Sequence, residues 1–199
     1  RVWAFDGTRW PLVSGQNPPP DVFVGEVVHD TTRDVFVVCG PGSSGMECWE
    51  FGSGVWRRAT PQSVPPARRY GVLAYQPSRQ RTLLYGGQAD YGTLLGDTWE
   101  WDGTSWTQAS GPAPSPRVWC GSTALPDGRS GVLVFGGRDG RYGLSDTWVF
   151  DGSWRRVHGH MWPAGEYAGL AVALDSERRR IVSMGNVGNI GSTWEWDGE

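Results

Sequence analysis

The side chains that could do chemistry in this chain are few, and their spacing limits what they could do. His158 and His160 stand either side of one glycine and could share a metal ion through two imidazoles, with Glu166 nearby in sequence. No third ligand completes the pattern, and bare loop histidines are the commoner meaning of such a pair, so no metal is expected. All eighteen basic side chains are arginine, which excludes a lysine Schiff base or lysine nucleophile. The arginine pairs at 57–58, 68–69 and 155–156 and the run 178–180 read as strand-edge and turn charges that discourage edge pairing. There is no Gly-x-Ser-x-Gly elbow, phosphate loop or His-Glu-x-x-His motif. The expectation is therefore a non-enzymatic chain with no catalytic residue and no cofactor.

Three cysteines leave an odd count. Cys39 and Cys48 flank a short loop and could bridge adjacent strands, leaving Cys120 free. Net charge is only −3 with both signs interspersed, so no basic footprint for nucleic acid is present. No run of eighteen apolar residues exists, so membrane insertion is not expected. The opening Arg1-Val2-Trp3, without methionine or leader, reads as a processed chain or a piece of a longer one. Its Trp-rich, lysine-free character leans weakly toward a secreted setting.

The elements that must carry these residues emerge from a repeat. Thirteen tryptophans, thirty glycines and fourteen prolines favour strands and turns over helices. Trp3, Trp49, Trp99, Trp148 and Trp194 are separated by 46, 50, 49 and 46 residues, and Trp10, Trp56, Trp106 and Trp154 keep the same rhythm. Before each full copy comes an apolar run ending in glycine: Gly40, Gly86-Gly87, Gly136-Gly137 and Gly185. Further upstream, glycines 25, 71, 121 and 169 align with one another. Each unit reads as four short strands, with Asp102-Gly103 and Asp151-Gly152 as two-residue hairpin turns between the third and fourth. Ser53-Gly54 turns the chain where the aspartate is missing.

Four-stranded units at this period are the signature of a β-propeller. The di-glycine pairs, the aromatic-Asp pairs Trp101-Asp102 and Phe150-Asp151, and the tryptophans that follow, Trp106 and Trp154, resemble the kelch repeat. The resemblance covers the whole chain and departs at Gly40-Pro41, Phe51-Gly52 and Gly185-Asn186. It implies an all-β propeller of four-stranded antiparallel blades. The chain holds about four blade-equivalents in a single domain over 1–199, with units at 1–13, 22–60, 69–110, 118–158 and 167–199. Seventeen strands, entered and left in mid-blade, suggest a segment of a longer propeller, then a ring completed by self-association, then a strained four-bladed ring. The resemblance also brings in the copper-radical oxidases, which need a Cys–Tyr crosslink, a second tyrosine and two histidines. His29, His158 and His160, with six tyrosines, do not match that motif.

On a strand, Trp99 and Trp101 share a face, and each buried indole removes 150–250 Å² from water. Recurrence at fixed register assigns Trp49, Trp99, Trp106, Trp148 and Trp154 to blade packing, and function to whatever breaks the repeat. Variable loops share one face of the disc, and there Tyr91, Arg138, Arg141, Tyr142, His158, His160 and Trp162 form the candidate binding set. The expected function is a protein-binding scaffold acting through that face. A carbohydrate-active or copper-radical enzyme segment and a structural extracellular module are the alternatives.

Overall fold

The computed structural model describes residues 2–3, 6–13, 15–20, 25–125, 130–157, 171–187 and 190–196. It opens on a ribbon of β1 (Val2–Trp3) and β2 (Leu12–Val13). Three four-stranded antiparallel sheets follow. Blade one holds β3 (Glu26–Asp30), β4 (Val35–Pro41), β5 (Met46–Gly52) and β6 (Val55–Arg58). Blade two holds β7 (Val72–Gln76), β8 (Arg81–Tyr85), β9 (Thr98–Trp101) and β10 (Trp106–Gln108). Blade three holds β11 (Gly121–Ala124), β12 (Val132–Phe135), β13 (Thr147–Phe150) and β14 (Trp154–Val157). The last blade contributes β15 (Ala171–Asp175), β16 (Arg180–Val187) and β17 (Ile190–Trp196). Within each sheet the strands pair in chain order, and the innermost strands β3, β7, β11 and β15 neighbour one another in succession. The molecule is an all-β, four-bladed β-propeller whose only described helical element is a 3-10 turn at Asp90–Gly92.

The hydrophobic core lies between blades rather than within them. Val37, Cys39, Met46 and Cys48 of blade one meet Leu73, Leu84, Trp101 and Trp106 of blade two. Val72, Leu83 and Tyr85 meet Val132, Val134 and Phe150 across the next gap. Leu133, Phe135 and Val149 meet Ile181 and Trp196 across the third. Inner strands β7, β8 and β12 have a blade on either side, so they are buried on both faces instead of alternating, with Gln76 and Thr82 among the buried residues.

Several sequence expectations need correcting. Trp106 is buried as expected, and Trp99, Trp154 and Trp194, though only half-buried, pack against the clusters between blades; Trp49 and Trp148 are half-buried. The fully covered position on the third strand is the next aromatic along: Trp101, Phe150 and Trp196. The first tryptophan stands one register step closer to the rim, where its indole N–H reaches an acid two residues earlier. Trp99 donates to Asp97 at 2.6 Å, Trp148 to Asp146 at 2.7 Å and Trp49 to Glu47 at 2.8 Å. The Asp-Gly turns are also longer than two residues, because Trp101 pairs with Trp106 and Phe150 with Trp154. Asp102 stabilises its turn by accepting the Thr104 and Ser105 N–H groups, and Gly103 takes a φ of 96°. Ser53-Gly54 is the true two-residue hairpin, both residues having positive φ.

The glycine alignment shifts by one. Val72 and Gly121 occupy the same register, opposite Tyr85 and Phe135, so Gly71 corresponds to Cys120 and not to Gly121. The di-glycines break β8 and β12 by entering the left-handed region, with φ of 66° and 99° at Gly86 and Gly87 and 65° and 89° at Gly136 and Gly137. Gly40 instead stays in β4, opposite Glu47, and Gly185 stays in β16. Cys39 and Cys48 are directly opposed across β4 and β5 and are joined by a disulfide, with Cys120 free.

Closing so short a loop still restricts the unfolded chain, so reducing this bond is expected to cost about 2–3 kcal/mol of stability. Urea unfolding with and without reductant measures it; equal midpoints would refute a stabilising role.

Candidate functional site

Loops between second and third strands, and connectors between blades, meet on one face. Two buried arginines organise it. Arg68 closes the connector into blade two and forms a bidentate pair with Asp97, at 2.7 and 2.8 Å. Its remaining donors reach the carbonyls of Gly86 and Pro66. Arg117 repeats this in blade three, with Asp146 at 2.5 and 3.0 Å and the carbonyls of Gly136 and Ser115 at 3.0 Å. Reading 68–69 as surface charge is therefore wrong for Arg68: its guanidinium lies inside because each of its three nitrogens has an acceptor. Arg57, Arg58, Arg155 and Arg156 are exposed, as expected of edge charges.

Two residues beyond each buried arginine the backbone turns left-handed at an aromatic, Tyr70 at φ 61° and Trp119 at φ 59°. Bulky side chains rarely occupy this region, which costs on the order of 1–3 kcal/mol. The two rings lie 5.7 Å apart at 58° to one another, and are 46% and 42% exposed. The Trp119 N–H donates to the Tyr70 carbonyl at 3.2 Å, and the Tyr70 N–H donates to the Glu26 carboxylate. A hollow of about 110 Å³ lies beside them, lined by Glu26, Cys39, Pro41, Arg69 and Tyr70 among others.

The expected site residues fall partly around this pair. Arg138 pairs with Val118, immediately before Trp119, and its side chain reaches the Arg141 carbonyl at 3.4 Å. Asp139 folds the loop by accepting the Arg141 and Tyr142 N–H groups, and Tyr142 projects into solvent. This loop abuts the neighbouring one: a Cβ on Gly140 would lie 3.6 Å from Leu94. Tyr91 sits in the 3-10 turn of that neighbouring loop, and its side chain is outside the described set. His158, His160 and Trp162, with Glu166, lie outside the described residues. Tyr70 and Trp119 were missed, although their shared place between the arginine and the first strand was visible.

Nucleophilic chemistry finds little support here. Burial pushes the Cys120 thiol up to about 12, so it stays protonated, donating weakly to the Gly136 carbonyl at 3.6 Å. Burial likewise raises the Tyr85 hydroxyl, which donates to the Ser115 carbonyl at 2.7 Å. Among the described residues, no group of three or more His, Cys, Asp or Glu side chains could hold a metal ion.

Fold and site together define a β-propeller presenting aromatic and arginine side chains on its loop face. No protein-family model matches the chain. Over 132 residues, 61% of this chain, the sequence is 28% identical to the serine/threonine-protein phosphatase BSL2 of Arabidopsis thaliana, of which the match covers 12%. The chain thus spans a small fraction of that relative's length.

Burial raises the Asp97 and Asp146 carboxyls, but the arginine and indole bonds outweigh it and hold both below the usual carboxylate range. Groups depressed in the folded state stabilise it above the unfolded value of about 3.9, and that stability is lost as pH falls through their folded values. Replacing Asp97 with Asn leaves Arg68 buried without its countercharge, an expected loss of about 3–5 kcal/mol at pH 7. The loss should begin to shrink as pH falls below about 4, where the unfolded chain takes up a proton that the folded, still-ionised Asp97 does not, and it should be smallest once the pH has passed the depressed folded value; chemical denaturation across pH 2–7 measures it.

Proposed function

We propose that this chain is a kelch-like propeller that works as a non-enzymatic protein-binding scaffold, its contact surface centred on Tyr70 and Trp119. The supporting observation is that both aromatics stand exposed in left-handed backbone, in contact with each other. Folding alone favours glycine there, and a strained, solvent-facing aromatic pair fits selection for binding. Tyr142, Arg138 and Arg141 extend the surface with side-chain types enriched at interfaces. The match to one part of a larger phosphatase suits a recognition module within multidomain proteins. The Cys39–Cys48 disulfide supports an oxidising, extracytoplasmic setting.

The test is affinity capture with wild type and with a Tyr70→Gly/Trp119→Gly double variant. Proteins held by the wild type should be lost at least tenfold on the variant, whose melting temperature should equal or exceed the wild type's as strain is relieved. Equal capture by both would remove the proposed surface. Copper-dependent peroxide production would instead establish the oxidase alternative.

A further inference from the structure

Among the described residues the interface between neighbouring blades is built three times, and the two faces that could build it once more have no blade against them. Blade two turns Leu83 and Tyr85 toward blade three, where they are buried, and Thr98 accepts the Trp154 indole N–H at 2.8 Å. In the last blade the same register positions hold Val182 and Met184, and Met184 is 59% exposed. At the other end, blade two turns Leu73 and Thr82 toward blade one, both buried. The corresponding residues of blade one are Val27 and Phe36, 62% and 46% exposed.

An ionic device accompanies the apolar one. Arg33 bonds Glu50 of its own blade at 2.8 Å, and a Cβ on Gly103, in the following blade's turn, would lie 2.9 Å from its guanidinium. Arg79 bonds Glu100 and stands in the same relation to Gly152. Arg178 makes the matching bond to Glu195 at 2.6–2.7 Å, yet its side chain is half-exposed, and among the described residues no following turn covers it. Blade one's turn is the mirror of this: a Cβ on Gly54 would meet nothing within 4 Å.

We propose that the exposed side of the last blade docks on the exposed side of blade one of a second copy, repeating the interface the chain already makes internally. Each end presents the surface the other lacks, so the contact is head-to-tail, and two such contacts close a pair of chains. Val182 lies opposite Phe36 in this arrangement, and Arg178 with Glu195 lies over the Ser53-Gly54 turn.

Light scattering across a concentration series should show a dimer. Val182→Arg and Phe36→Glu should each weaken it at least tenfold. Phe36 is exposed and Val182 partly exposed in the single chain, so circular dichroism should show both variants folded. Mixing the two variants should restore association, because one junction then pairs the introduced guanidinium with the introduced carboxylate. A wild type that is monomeric throughout, variants that dimerise like the wild type, or a mixture no tighter than its components would each overturn the proposal.

Discussion

The bidentate pairing of a buried arginine with an aspartate, Arg68 with Asp97 and Arg117 with Asp146, is the constraint on which the loop face depends. Taking a guanidinium out of water is costly unless its donors are met; here a carboxylate and two carbonyls serve all three nitrogens, and in Arg117 the Ser115 hydroxyl accepts the fifth bond. That requirement fixes three chain segments at once: the incoming connector, the glycine end of the second strand and the start of the third. The same aspartates accept the indole N–H of Trp99 and Trp148, which extends the network to the half-buried tryptophans. With the connector pinned, the chain must reverse sharply to enter the first strand, and Tyr70 and Trp119 are held in that reversal.

Blade one solves the same problem with different chemistry. The cross-strand positions filled by Tyr85 and Thr98 in blade two, and by Phe135 and Thr147 in blade three, are taken by Cys39 and Cys48. A covalent link ties second strand to third where blades two and three set an aromatic opposite a threonine. Glu47 still accepts the Trp49 indole, but its cationic partner is Arg58 of β6, out at the blade edge, at 3.2 Å. The recurring geometry is thus the placement of an acid beneath the first tryptophan, while its countercharge varies.

The blades were legible because apolar burial between identical units forces the same residue types to recur at one spacing, and the tryptophans report that spacing. The clamp was not, since Arg68 stands beside Arg69 and looks like surface charge, and Arg117 has no arginine neighbour at all. Its trace was nonetheless present: in both blades the arginine precedes an Asp-Thr-Trp triplet by 29 residues. Turn length was misread because Asp-Gly signals a left-handed glycine, which the structure has, without specifying whether side-chain bonding from Asp102 will lengthen the loop. The one-residue offset between Gly71 and Gly121 followed from aligning by residue type, when the strand register puts Cys120 opposite Gly71's place. Of the candidate site, Arg138, Arg141 and Tyr142 were accessible as departures from the repeat, whereas Tyr70 and Trp119 belong to it and were passed over.

The disulfide's location gives the array a direction. Within a single chain, and among the described residues, middle blades are held from both sides, blade one is held from one side and by a covalent bond, and the last blade is held from one side only. In a stack whose stability is a sum over units and nearest-neighbour contacts, cohesion is then graded along the chain. Thermal fraying would start at the β15–β17 end and travel toward the cystine, so partly unfolded molecules would share an intact first half and differ in how far the second had melted.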